Sequence, residues 1–250
     1  MRPLYVYGCG YWSPGVLSWR DRAEGHRREG SHEPPCVAVP SRLLRGTSVV
    51  TRAWIDALAQ AAKEGGADLT TVPTVFGSEL GEVQTAVALL AQIRAEGIPS
   101  PMRFKNSVHN AASGTASIAW ANTSFSTAIS AGADLVAMTL LEAWAHLDAH
   151  GGHVAVALAE EEIPAPLPGH GTYPSVAFGF YLGVDARHGC VRLEGLRTDA
   201  SVPRVHPPQG GACAPAFGLL DAITTRRAGA VSLSLDEGSP WCVDVRVDEG

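Results

Sequence analysis

Between Phe125 and Glu161 the chain reads as a strand, a glycine turn, a long helix and a second strand. FSTAIS (125–130) has the short run of a strand, and Gly132 follows it. Asp134 begins a helix to about His150, with Leu135, Met138, Leu141 and Ala145 forming an apolar stripe. HVAVALAEE (153–161) opens with an apolar run that marks a strand buried on both faces. Such a strand needs cover above and below, so the segment calls for a layered α/β architecture.

The rest of the chain continues the alternation. PLYVYG (3–8) reads as a buried strand ending at glycine, and TVPTVFGS (71–78) as another. Ser48 caps a helix running to about Lys63, with Val50, Trp54, Leu58 and Ala61 at helical spacing and Gly65-Gly66 as its stop. A helix over Val83–Glu96 puts Val87, Leu90 and Ile93 on one face and ends at Gly97. Residues 107–121 are rich in small side chains, and a helix of that composition packs its backbone closely on its neighbours. SVAFGFYLGVD (175–185) and CVRLEGL (190–196) predict an antiparallel pair across the turn ARHG. A short helix (216–228) and strands at 231–235 and 241–247 close the chain. The charged stretch 20–34 reads as an exposed loop, as do the Pro-rich stretches 163–174 and 201–215.

Composition narrows the function. With 250 residues, 46% hydrophobic and 18% charged, the chain has material for a large core in one or two domains. The net charge of −6 argues against broad nucleic-acid or anionic-membrane binding. Apolar runs break well before the roughly 18 residues a membrane span needs, and MRPLYVYGCGYW does not read as a signal peptide. Cys9, Cys36, Cys190, Cys213 and Cys242 are odd in number and scattered, without a CxxC pair. They suit a cytoplasmic protein with reduced, mostly buried thiols.

Several motifs touch on chemistry. Gly8-Cys9-Gly10-Tyr11-Trp12-Ser13 begins like a dinucleotide fingerprint, but Ser13 replaces the third glycine and Pro14-Gly15 stands where a helix should start. A strand-ending turn is the plainer reading. His146, His150 and His153 resemble a metal trio, the first two at i, i+4, yet they sit where histidines favour a helix C-terminus. Gly77-Ser78-Glu79-Leu80-Gly81 is not the hydrolase elbow, because its serine directly follows the first glycine. Ser113 reads as a packing residue, and the His109-Asn110 pair as a buried hydrogen-bonded group, with a catalytic role the lesser reading. The strand-to-turn at 125–132 is a good place for a nucleophile, since a following helix N-terminus lowers a thiol pKa. It offers Ile129 and Ser130, and no cysteine lies between residues 37 and 189.

LYVYGCGYWSPG, TVFGSELGE and above all HNAASGTASIA followed by STAISAG carry a resemblance to a known family. The chain resembles the N-terminal half of β-ketoacyl synthases of the thiolase-like superfamily, over roughly residues 3–196. It is most similar to the short ketosynthase-like chain length factors of aryl polyene-type clusters. STAISAG lines up with the T-A-C-(S/T)-(S/A)-G nucleophile motif, and Ile129 takes the place of the cysteine. An isoleucine has no lone pair to hold an acyl thioester, so the resemblance implies a non-catalytic subunit. The two histidines that assist decarboxylation come from the C-terminal half of the family fold. His170-Gly171-Thr172 resembles the first of their motifs only superficially, and residues 170–172 read as a loop.

The implied fold is α/β and thiolase-like: one layered α-β-α half of the ketosynthase fold with an abbreviated C-terminal part. Residues 1–200 would form the N-terminal-like domain, and 201–250 a segment packed on it. The implied partners are a catalytic β-ketoacyl synthase, in a heterodimer, and an acyl carrier protein with its growing polyene or fatty acyl chain. Arg103 and Lys105 are candidates to meet the carrier, although solvated positions suit both. Phe125 to Ser130 falls at the superfamily's dimer strand, with Ala128, Ser130 and Ala131 small enough for close approach. Phe104, Phe125, Ala128, Ile129, Ser130 and Met138 are the tunnel or interface candidates, with core packing the alternative for each. No cofactor, metal, nucleic acid or membrane span is implied. Two rival readings are a stand-alone acyltransferase using Ser130 or His109 and a homodimeric acyl-binding scaffold.

Overall fold

The computed structural model describes residues 1–204, 210–235, 238 and 240–247. Its strands are β1 (Leu4–Trp12), β2 (Thr74–Gly77), β3 (Ser126–Ile129), β4 (His153–Glu160), β5 (Val176–Gly183), β6 (Val191–Thr198), β7 (Gly229–Ser232) and β8 (Trp241–Val247). Its helices are α1 (Trp19–Ala23), α2 (Val49–Gly65), α3 (Val83–Glu96), α4 (Pro101–Lys105), α5 (Ala111–Trp120), α6 (Leu135–His150) and α7 (Pro215–Thr224).

All eight strands join one sheet in the order β3-β2-β4-β5-β1-β6-β8-β7. β2 runs parallel to β3 and β4, and the remaining neighbours are antiparallel. β4 explains the layering. Its Val154, Val156 and Leu158 face a core shared with Leu140 and Trp144 of α6 and Leu220 of α7. Its Ala155, Ala157 and Ala159 face a second core with Trp54 and Leu58 of α2 and Ala112 of α5. Alternate residues of a strand point to opposite faces, so helices cover the sheet on both sides.

Small side chains on one face let α2 lie almost on the sheet. A Cβ at Gly10 would stand 1.9 Å from the Ala57 carbonyl oxygen, and one at Gly179 2.1 Å from the same atom. A Cβ at Gly8 would meet the Ala61 oxygen at 2.3 Å. The helix is fixed lengthwise as well: Ser48 caps it by accepting from Thr51 N at 3.0 Å, and Gly66 ends it at φ 73°. Trp54 Nε1 donates to the Ala157 carbonyl at 2.9 Å.

Four expectations need correction. The strand that begins at residue 3 does not end at Gly8; β1 continues to Trp12, and Gly8 and Gly10 serve the approach of α2. β5 and β6 do not pair with each other, because β1, buried on both faces, lies between them and bonds to both. The buried face of α6 is Leu135, Val136, Thr139, Leu140, Ala143, Trp144 and Leu147, while Ala145 is exposed and Met138 and Leu141 are half-buried. On α3 Val83 and Leu89 are buried, Val87 is half-buried, and Leu90 and Ile93 are exposed. The stretch 20–34 begins inside the short helix α1 and is otherwise irregular and largely exposed. Of the loop 201–215, residues 205–209 lie outside the described residues.

Candidate functional site

The parallel strands β3 and β2 end side by side at Ile129 and Gly77, opposite Leu158 of β4, which runs on to Glu160. Ile129 is half-buried against the core of α6 and α7. Its carbonyl accepts from Ser78 N at 3.0 Å, which extends the β2–β3 ladder by one bond. Ser130 donates its hydroxyl to the Glu79 carbonyl at 3.0 Å. His109, just before α5, places Nε2 2.7 Å from the Ser78 carbonyl and turns its ring edge to Trp54. The loop 78–82 therefore links all three sequence candidates. It does not make them a nucleophile and base, because Ser130 and His109 each face a main-chain carbonyl.

Carboxylates hold that loop from beneath. Glu160 accepts from Ser78 Oγ at 3.3 Å and from Glu79 N, while its Oε2 is buried with no hydrogen-bond partner among the described residues. Glu161 accepts from Gln84 N at 2.7 Å, in the first turn of α3, where that helix has no side-chain cap of its own. Glu82 accepts from Ser48, Thr51 and Thr85. Burial pushes both Glu160 and Glu161 up to about 8, which favours the neutral acid at neutral pH. Sequence reasoning passed over these groups. The available signal was a pair of acids at the end of an apolar strand that the sheet buries completely.

The helix end beyond Ile129 is covered by the chain itself. A 3₁₀ turn at Gly132–Asp134 separates β3 from α6. Leu235 N donates to the Ala133 carbonyl at 3.0 Å, and the Ser234 hydroxyl bonds Asp134. A second 3₁₀ turn, Gly211–Cys213, packs against the same turn and against α6. The turn at the start of α6 is thus tied to segments from 211–213 and 234–235, while Ser130 stays exposed and residues 131–134 half-buried.

The other candidates lie as follows. Phe125 precedes β3 and stacks flat on His146, centroids 4.6 Å apart. His150 stands 4.9 Å from His146, and His153 turns to Tyr181 instead. Among the described residues no group of three or more His, Cys, Asp or Glu side chains is placed to hold a metal. Ala128 and Met138 are half-buried on opposite faces of the sheet. Phe104, Arg103 and Lys105 are exposed on α4. Residues 170–172 lie in the irregular stretch between β4 and β5. A polar cleft of about 370 Å3 runs along β3, lined by His109, Asn110, Ser113, Ser126, Thr127 and Ala128.

Among the described residues β3 is the outermost strand of the sheet and pairs only with β2. Elsewhere apolar side chains are exposed: Leu90 (65% exposed) on α3, Ile98 (74%) between α3 and α4, Met102 (66%) and Phe104 (60%) on α4, and Ile118 (64%) on α5, the one of these helices that touches β3. No helix among the described residues is long and apolar enough to cross a membrane.

Comparison with known proteins follows this geometry. A chain of the ketosynthase ApeO in complex with its chain length factor ApeC, from Xenorhabdus doucetiae, superposes with a TM-score of 0.70 at 19% identity, over 98% of this chain and 99% of that one. The ishigamide ketosynthase/chain length factor gives 0.59 at 16% identity, over 80% of this chain and 68% of that one. A β-ketoacyl synthase from Burkholderia phymatum gives 0.58 at 12% identity, over 81% and 66%. These likenesses fix the fold as the thiolase-like half expected. None of the curated proteins compared matches the chain. Residues 17–210 match the family described as beta-ketoacyl synthase, N-terminal domain, and the chain belongs to that family.

Proposed function

We propose that this chain is a non-catalytic, ketosynthase-like subunit of the chain length factor type. It would pair with a catalytic β-ketoacyl synthase that elongates an acyl chain on a carrier protein. The observation that carries this reading is Ile129 at the end of β3, where the family places its nucleophilic cysteine. A side chain without a lone pair forms no thioester.

The free side of β3 and the exposed apolar residues of α3, α4 and α5 suit a partner. An unpaired strand edge invites pairing, and an exposed apolar patch of this kind marks an interaction surface. In the proposed heterodimer β3 continues the sheet into the ketosynthase, and Phe125 and Ala128 lie at the seam. The polar cleft beside β3, with Ile129 and Ser130 at its strand end, would contribute to the wall around the growing chain. The neighbours that are ketosynthase complexes support this assignment. The aryl polyene class of product rests on the sequence resemblance.

The test is co-purification of the tagged chain with an untagged ketosynthase from the same gene cluster, followed by a malonyl-carrier condensation assay on each subunit and on the pair. A one-to-one complex, active only together and unaffected by Ser130→Ala, is the expected result. Condensation by this chain alone would overturn the reading.

A further inference from the structure

A cavity of about 340 Å3 opens between α1, the end of β1 and the start of α7, and Ile129 takes no part in it. Tyr11 and Phe217 supply its aromatic surface, with centroids 6.1 Å apart, and Pro174 and Val176 its apolar wall. Small-molecule sites have this size and this make-up, an apolar enclosure with a few polar groups. Arg22 reaches over the rings, 5.1 Å from that of Phe217 and 5.7 Å from that of Tyr11. A two-pronged ion pair with Asp221 holds it there and commits its charge.

The remaining polar groups decide what the cavity accepts. His26 is paired with Glu24, and Asp21 takes the Ser18 hydroxyl. Tyr11 donates to Ser13 Oγ at 3.0 Å, so Ser13, itself buried, keeps a hydrogen to give elsewhere. Arg27, on the exposed loop after α1, makes no side-chain hydrogen bond or ion pair among the described residues. It nonetheless lines the cavity, close enough for its charge to act on the Tyr11 phenol. The uncommitted donors are thus a guanidinium fork and a hydroxyl beside aromatic faces. A guanidinium recognises planar carboxylates, and aromatic rings favour a flat apolar body.

We propose that this cavity binds a small organic acid with an aromatic body, its carboxylate held by Arg27 and Ser13 and its ring against Phe217. The proposal does not depend on pairing with a ketosynthase.

Calorimetric titration of the full chain with benzoate, benzyl alcohol and benzylamine tests it. Benzoate should bind at least about tenfold more tightly than the other two. Arg27→Ala should weaken benzoate about tenfold without moving the melting temperature, because Arg27 is exposed. Arg94→Ala, which removes an exposed arginine on α3, should leave binding unchanged. Equal binding of all three probes, no binding of benzoate, or binding insensitive to Arg27→Ala would overturn the proposal.

Discussion

His109 Nε2 lies 2.7 Å from the main-chain carbonyl oxygen of Ser78. A carbonyl only accepts, so the proton sits on Nε2 and that nitrogen is not free to act as a base. His109 therefore anchors the loop 78–82 to the start of α5. His109→Ala should lower stability by about 1–2 kcal/mol, the cost of a lost hydrogen bond and an unpaired carbonyl. His109→Gln, which retains a donor, should lose less. Denaturant unfolding reads the difference. If condensation by the paired enzyme collapses while stability holds in both variants, His109 has a chemical role that this geometry does not predict.

Restoring the missing thiol should not restore chemistry. Ile129→Cys removes methyl and methylene groups from a half-buried site and should cost about 1–2 kcal/mol. The new thiol would face a turn tied to Leu235 and Ser234, and His109 Nε2 remains committed to Ser78. Intact-mass measurement after incubation with malonyl- or acyl-carrier protein should find no acyl adduct on the variant alone. An acyl-enzyme would mean that the strand end activates a thiol after all.

Glu160 and Glu161 make stability depend on pH. Burial raises each from 4.5 to about 8, so the folded chain holds protons there that the unfolded chain releases. Their contribution is fully present below about pH 4.5, falls as pH rises through that window, and is lost above about pH 8. The slope in the middle of the window approaches ~1.4 kcal/mol per pH unit for each group. Unfolding free energies at pH 6 and pH 8.5 should differ accordingly, with the higher value at pH 6. Glu160→Gln keeps a neutral acceptor for Glu79 N and should flatten the profile. An unchanged slope in that variant would place the proton elsewhere.

Two glycines separate close approach from backbone conformation. Gly10→Ala drives a methyl to 1.9 Å from the Ala57 oxygen, so α2 must leave the sheet. The loss should exceed about 3 kcal/mol, the upper range for ordinary overpacking, since backbone rather than a side chain must move. Gly66→Ala meets nothing within 4 Å but must hold φ 73°, which costs about 1–2 kcal/mol. Thermal melts of the two variants should rank them in that order, and equal losses would contradict the close packing of α2.

The sequence made some of this legible and hid the rest for physical reasons. α2 and α3 were readable because a serine cap and glycine stops bracket their apolar spacing. β4 was readable because burial on both faces leaves an unbroken apolar run. Strand neighbours were not, since β5 and β6 follow one another in the chain while β1 comes between them only through long-range hydrogen bonds. Ile129 stands out in the sequence only through the family motif around it, and its role as a pseudo-site stays part of the proposal. The carboxylates that position its loop were hidden, since their role depends on β2, β4 and α3 meeting in space. The stripe of Leu90 and Ile93 misled for a more useful reason: helical apolar periodicity marks a face that needs cover, without saying whether this chain supplies it.

Exposed apolar side chains on α3, α4 and α5 yield the sharpest test of the proposed pairing. Ile118 on α5 and Phe104 on α4 are both about three-fifths exposed, as are Leu90 and Met102. If a ketosynthase covers them, an aspartate at Phe104 or Ile118 buries an unpaired charge in the complex and nothing in the free chain. Interface centres of this kind lose at least about 2 kcal/mol on such changes, which is roughly a thirtyfold weaker affinity. Phe104→Asp and Ile118→Asp should therefore abolish co-purification with the ketosynthase while shifting the melting temperature of the free chain little. Val37→Asp is the control, because Val37 is 87% exposed and lines a separate cavity with Leu17, Ala59 and Lys63. It should leave the complex intact. Retention of the complex by both patch variants would move the partner to another surface, and loss of it in all three would point to a general failure of folding.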